Sequence, residues 1–248
     1  MLRKREIVLK ESENNKVHMK NGSLFHGFLM EKMPEDYAAV LHESNVRPFS
    51  QYLSFSKEEK KWIWTIGSLN KTADDALEKV ISNISTIELK NKGLVLDIDY
   101  VRTYPAISYK ELTEKCYSGK TYNSVDIEFL TPCSFKVAGQ NVIMPEIKLI
   151  YQNIVNRWNE FSETISIKDK DAMDHIIQHT TIRDYNIRSR NFALESVTVK
   201  GCEGSISLKI SGPDTLISLC NLLFRFAEYS GIGTRTALGM GGVRIGFK

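Results

Sequence analysis

The segment "YSGIGTRTALGMGGVRIGF", Tyr229 to Phe247, confines the fold more than any other part of the chain. It collects six of the fifteen glycines and two arginines, and it contains no acid. Glycine costs conformational entropy, so repeated glycines mark backbone that bends tightly or lies close against something. A solvated linker would have no need of Ile232, Leu238, Met240, Val243 and Ile245 set between them. An ordered loop is therefore expected. The familiar nucleotide-binding loops do not fit. A P-loop needs a lysine after its glycine pair, and the dinucleotide fingerprint needs a third glycine between a strand and a helix. "GIGTRT" lacks that glycine, follows a helical pattern and leaves too little chain for another βαβ unit. What fits is a backbone concavity with consecutive exposed N–H groups, which binds anions. Arg235 stands at its centre, with a planar fork that matches phosphate oxygens.

The preceding chain alternates strand and helix patterns twice. "REIVLK" reads as a first strand, "SLFHGFLMEKM" as a helix interrupted at Gly27, and "MPEDYAAVLHESN" as a helix begun by proline and acids and stopping near Asn45. "QYLSFS" and "KWIWTIG" read as paired strands, "NKTADDALEKVISNI" as a helix, and "TIELKNKGLVLDIDYVRTY" as a returning strand. From Ser124 the order repeats. "VDIEFLTPCSFKV" is a strand, and "MPEIKLIYQNIVNRWNEFSE" and "KDAMDHIIQHT" are helices. "RDYNIRSRNFALESVTVKGCEGSISLKIS" reads as long strands turning at "GCEG", ahead of the helix "GPDTLISLCNLLFRFAEYSG" and a last short strand. Each half matches the βαββαβ order, so the expected fold is α+β, with two tandem ferredoxin-like (RRM-like) domains over residues 1–120 and 121–248.

Composition supplies exclusions. A net charge of +3 does not announce nucleic-acid binding by itself. The positive charge is local, however. Arg235, Arg244 and Lys248 face no acid after Tyr229, and "RDYNIRSR" sets Arg183, Arg188 and Arg190 around Asp184. The four cysteines form no C-x-x-C pair, so no zinc site is expected. No apolar run has the length of a signal peptide or a membrane span. The expectation is a cytoplasmic protein in a reducing compartment, with no cofactor, no metal and no membrane partner.

"GIGTRTALGMG", Gly231 to Gly241, has the form G-h-G-x-x-x-x-x-G-h-G (h apolar) with a basic centre, and follows an amphipathic helix at the chain's end. It resembles the signature of the CRISPR-associated endoribonucleases that cut repeat RNA, within the RAMP superfamily. "GSLFHGFL" and "LHESNVRPFS" resemble that family's early helical region, and "FLTPCSFK" its second-domain first strand. The likeness covers residues 22–55 and 124–246. It implies metal-independent cleavage in which a 2′-hydroxyl attacks the adjacent phosphate, leaving a 2′,3′-cyclic phosphate and a 5′-hydroxyl. CRISPR repeat RNA is the implied partner, with an effector complex as a second one and a monomer or homodimer as the state of the chain. Gly231, Gly233, Thr234, Arg235, Thr236, Gly239 and Gly241 are then expected to contact RNA. Arg183, Arg188 and Arg190 are expected to meet phosphates along the second-domain hairpin.

Such chemistry needs a base for the 2′-hydroxyl, an acid for the leaving oxygen, and donors for the developing charge. Histidine suits the first two roles. His42 stands in the last turn of its helix, where the dipole favours the charged imidazole, with the small Ala38 four residues earlier. The resemblance carries the family's acid/base histidine onto this position. His26 is the rival, although Leu29, Met30 and Met33 around it suit a packed histidine. Tyr37 and Arg47 are candidate helpers, and the spacing of Tyr37 with Leu41 suits the core. His18, His175 and His179 read as surface residues, and the three tryptophans as core. A noncatalytic RAMP subunit that binds guide RNA is the alternative from another class. An enzyme of small nucleotides has little support.

Overall fold

A computed structural model describes residues 1–10, 17–43, 46–194 and 197–248, and of Asp36, Val40, His42 and Glu43 the backbone alone. Strand β1 (Arg3–Leu9) is followed by α1 (Gly22–Lys32) and α2 (Glu35–Glu43). The break between these helices falls at Pro34, whose ring forces Met33 into extended backbone at φ −66°, ψ 149°. Strands β2 (Phe49–Ser56) and β3 (Lys61–Ser68) form a hairpin, and α3 (Lys71–Ile81) starts on Asn70, whose side chain accepts the Ala73 N–H. Strands β4 (Thr86–Leu89) and β5 (Leu94–Thr103) complete the first sheet. The single strand expected here is thus two, because Gly93 takes a left-handed φ of 58° after a short 3-10 turn. Asn45, expected near the end of α2, lies outside the described residues.

Helix α4 (Tyr109–Ser118), opened by a Ser108/Glu111 capping box, leads into β6 (Ser124–Cys133) and the small hairpin of β7 (Phe135–Val137) and β8 (Gln140–Val142). Helices α5 (Ile147–Phe161) and α6 (Lys170–Gln178) follow. Strands β9 (Thr180–Ala193) and β10 (Thr198–Ile210), helix α7 (Asp214–Ser230) and β11 (Val243–Phe247) complete the chain. The long strands stay paired as far as Ala193 and Thr198, so "GCEG" lies inside β10 and is not the turn expected there. The glycines there serve close strand approach: a Cβ at Gly204 would stand 2.0 Å from the Asn186 carbonyl oxygen.

The two main sheets run in the orders β2-β3-β1-β5-β4 and β11-β6-β10-β9, with every pair antiparallel. Leaving β4 aside, the first, second, third and fourth strands of each half take the same positions, which is the ferredoxin-like arrangement expected. One core gathers on Trp64, set edge-on to Phe25 at 4.9 Å. The other gathers on Trp158, edge-on to Tyr109 at 5.0 Å and to Phe226 at 5.3 Å. The halves interlock, since Tyr109, Leu112 and Cys116 of α4 pack in the second core while Ala237 packs in the first. Among the described residues no helix is long and apolar enough to cross a membrane.

Candidate active site

The glycine loop starts where α7 ends at Gly231 and lies in the seam between the halves. Its N–H groups are largely spent on packing. Gly231 donates to Ala227, Ile232 to Gly241, Gly233 to the Asn153 side chain, Thr234 to Ser134, and Gly241 to Pro132. The row of exposed N–H groups expected from the sequence is therefore corrected: these donors hold the loop, and the side chains of Thr234 and Arg235 face outward. Gly233, at φ 93°, shows why glycine is needed. A Cβ there would stand 2.5 Å from the Ser134 carbonyl oxygen and 2.7 Å from the Cys133 sulfur. Arg235 itself adopts a left-handed backbone at φ 59° as the loop enters a 3-10 turn, Thr236–Leu238.

Gln51, fully buried in β2, ties this loop to the first half. Its amide donates to the carbonyls of Gly22 (2.8 Å) and Ala237 (2.9 Å), while its oxygen accepts the Trp64 indole N–H at 2.8 Å. Gln51→Met keeps the volume and deletes all three bonds. Buried groups left unpaired cost about 1–3 kcal/mol each, offset by relaxation, so a net loss of about 2 kcal/mol is expected. Thermal melting should fall by roughly 4–8 °C; an unchanged midpoint would show that the tie contributes nothing.

Between loop and first half opens a cavity of about 470 Å³. His26 of α1 and Arg47 line one side, Asn153, Asn156 and Arg157 of α5 the other, and residues 233–238 the rest. The His26 ring stacks on Phe49 with centroids 6.0 Å apart and planes 18° apart. The Arg47 guanidinium donates to the Leu41 carbonyl near the C-terminal end of α2. Arg157 donates to the carbonyls of Ser230 (2.9 Å) and Gly233 (3.3 Å), and burial pushes its pKa down to about 10, which leaves it charged at neutral pH. Arg47, Arg157 and Arg235 thus share one cavity, and no aspartate or glutamate is among its described lining residues. A lining of that charge favours an anion.

The structure brings the candidates His26, Arg47, Gly233, Thr234, Arg235 and Thr236 to one cavity and leaves other candidates elsewhere. His42 lies in the last turn of α2, and its side chain is outside the described residues. Tyr37 packs against the first core. Its hydroxyl is buried without a partner among the described residues, and burial pushes its pKa up to about 12, far from that of a neutral-pH base. Gly231, Gly239 and Gly241 are buried in the folds of the loop. Arg183 is exposed on the edge strand β9, whereas Arg188 and Arg190 of that strand both reach Glu203, at 2.6 and 2.9 Å. The α5 contribution was not foreseen. Asn153, Asn156 and Arg157 sit at i, i+3, i+4 opposite the buried Ile150, Tyr151, Ile154 and Trp158, a pattern that reads in sequence as a solvated face.

Two ferredoxin-like units are thus closed by a glycine loop that walls a basic, histidine-bearing seam. The family model described as CRISPR-associated endoribonuclease Cas6 matches residues 127–243. A CRISPR-associated endoribonuclease Cas6 of Streptococcus thermophilus is 29% identical over 225 residues, spanning 89% of this chain and 89% of its own length. That of Mycobacterium tuberculosis is 26% identical over 226 residues, spanning 90% of this chain and 71% of its own. A solved Cas6 product complex shares the fold with a TM-score of 0.79 at 21% identity, over 99% of both chains. These matches support a Cas6-type CRISPR-associated endoribonuclease as what this chain resembles.

Proposed function

We propose that this protein cuts CRISPR repeat RNA by intramolecular attack, without a metal ion. The 2′-oxygen bonds to the adjacent phosphorus as the bond to the 5′-oxygen breaks. One histidine takes the 2′-hydroxyl proton, another protonates the departing 5′-oxygen, and the products are a 2′,3′-cyclic phosphate and a 5′-hydroxyl. His26 and His42 form the acid–base pair, and Arg47 and Arg235 bear on the charge that gathers at phosphorus.

The observation that carries this reading is the seam cavity. It sets His26 beside three guanidinium-bearing side chains with no carboxylate among its described lining residues. Guanidinium, imidazole and amide groups suit a phosphodiester; a hard divalent cation prefers carboxylate oxygens. The names of the curated relatives, CRISPR-associated endoribonucleases Cas6, point the same way. Arg183, Arg188 and Arg190 extend phosphate contact along the β9 edge. Tyr37 is a core residue in this scheme.

End-labelled repeat RNA incubated in excess EDTA tests the chemistry, beside a substrate carrying one 2′-deoxy residue at the cut. Cleavage of the first alone, with a cyclic-phosphate end, is the expected result. Equal cutting of both substrates, or loss of cutting in EDTA, overturns the mechanism. Tight binding with neither RNA cut would instead identify a noncatalytic guide-RNA subunit.

A further inference from the structure

Helix α6 ends on two imidazoles set one turn apart. His175 and His179 stand at i and i+4, the spacing at which two histidines on one helix face share a metal ion. Their rings meet edge to face with centroids 4.2 Å apart, within the span that one ion bridges through two Zn–N bonds of about 2.0–2.1 Å. His179 is oriented for that role. Its Nδ1 lies 2.9 Å from the His175 carbonyl oxygen. A carbonyl only accepts, so Nδ1 carries the proton and Nε2 keeps the lone pair that a metal takes. His175 is exposed, so its ring can turn toward an ion. Beside it lies a shallow hollow lined by Asp169, Asp171, Asp174 and Gln178. The hollow has three carboxylates and no lysine or arginine among its described lining residues, the reverse of the seam cavity. That field draws a cation toward the imidazoles.

We propose that His175 and His179 form a two-nitrogen site for a divalent transition ion such as zinc, which fixes the last turn of α6 where the chain enters β9. Imidazole nitrogen suits zinc, copper and nickel, whereas magnesium and calcium take oxygen ligands. Among the described residues no group of three histidine, cysteine, aspartate or glutamate side chains is placed to hold an ion. The two imidazoles therefore bind as a pair, and water completes the tetrahedral shell. Neither histidine lines the seam cavity, so the site stands apart from the cleavage chemistry proposed above. Its consequence is mechanical. His179 immediately precedes β9, and its carbonyl accepts the Ser211 N–H at 2.8 Å, one residue beyond β10. An ion held across the two rings thus stiffens the point where α6 and both strands of the long hairpin meet.

Zinc chloride titrated calorimetrically into the full chain, free of any histidine tag and in a non-chelating buffer, tests the site. One ion per chain is the expected result. His175→Gln removes one ligand from an exposed helix position and leaves the His179 ring on its carbonyl acceptor, so the variant should fold as the wild type does. It should bind zinc at least about tenfold more weakly, since loss of a group that merely supports a ligand already costs that much. Thermal melting gives a second reading. Zinc at about ten times the wild-type dissociation constant should raise the wild-type midpoint by roughly 3–6 °C, and that of His175→Gln by less than about 2 °C. Wild-type affinity in His175→Gln overturns the site, because the ion would then sit elsewhere on the chain. An equal rise in the two midpoints overturns it too, as does the absence of binding to the wild type up to about 1 mM zinc.

Discussion

The variant carrying His26→Ala and His42→Ala is expected to bind repeat RNA as the wild type does and to cleave it about 10²–10⁴-fold more slowly in single turnover. The argument is one of proton inventory. Breaking the bond to the 5′-oxygen needs a proton there, and forming the bond from the 2′-oxygen needs one removed. The described lining of the cavity supplies no carboxylate for either task. Tyr37, the nearest phenol in sequence, is held protonated by burial with a pKa near 12 and packs in the core. Arginine stays charged at neutral pH and does not exchange protons. Imidazoles remain, and two make a complete pair. The wild-type rate should then be bell-shaped in pH, falling on the acid side as the base becomes protonated and on the alkaline side as the acid loses its proton. Each single variant should lose one limb: the acid-side fall disappears when the base is removed, and the alkaline fall when the acid is. This assigns the roles of His26 and His42 without any prior choice between them. Single variants that both cleave at the wild-type rate would remove the pair from the mechanism.

The two histidines also show how far sequence carries. The strand and helix order was legible because period-two and helical patterns repeat in the same sequence twice, and the strand orders β2-β3-β1-β5 and β11-β6-β10-β9 follow from that order. Turn positions were less legible. "GCEG" looks like a turn because glycine usually marks one; here it marks backbone pressed against β9 and β6. His26 illustrates a different limit. Its apolar neighbours Leu29, Met30 and Met33 describe the helix face turned to the core, yet the imidazole lies on the cavity wall, stacked on Phe49. Sequence spacing shows which residues share a helix face; which face meets a second domain depends on the interlocking of the halves. The same holds for Arg157, whose helix presents a polar face that sequence would leave in solvent. The glycine loop was recognised for its composition, and its physical role differs from the one composition suggested. Its amides hold it in place, and residues 233–238 of it line the cavity.

Gly241→Ala should destabilise the protein far more than Gly93→Ala, although the two glycines have nearly the same φ. Gly241 sits at φ 66° and Gly93 at φ 58°, so alanine at either is strained by a positive φ, at about 1–2 kcal/mol. There the likeness ends. A Cβ at Gly93 would meet nothing within 4 Å, whereas at Gly241 it would stand 2.0 Å from the Ile232 carbonyl oxygen. Relief requires the loop strands to part, which breaks the 2.9 Å bond from the Ile232 N–H to the Gly241 carbonyl and shifts Ile232 out of the second core. Overpacking of that kind adds about 1–3 kcal/mol or more. At roughly 2–4 °C per kcal/mol, Gly93→Ala should melt about 2–8 °C below wild type and Gly241→Ala about 4–20 °C below it. Cleavage measured well below both midpoints separates stability from function. Gly93→Ala should cleave at the wild-type rate, because its hairpin lies away from the cavity, and Gly241→Ala should not, because Arg235 and Thr236 are carried by the loop that has been forced apart. Equal melting of the two variants would show that the loop yields freely at Ile232. The glycines would then be needed for backbone sign alone, and close packing would not explain their number.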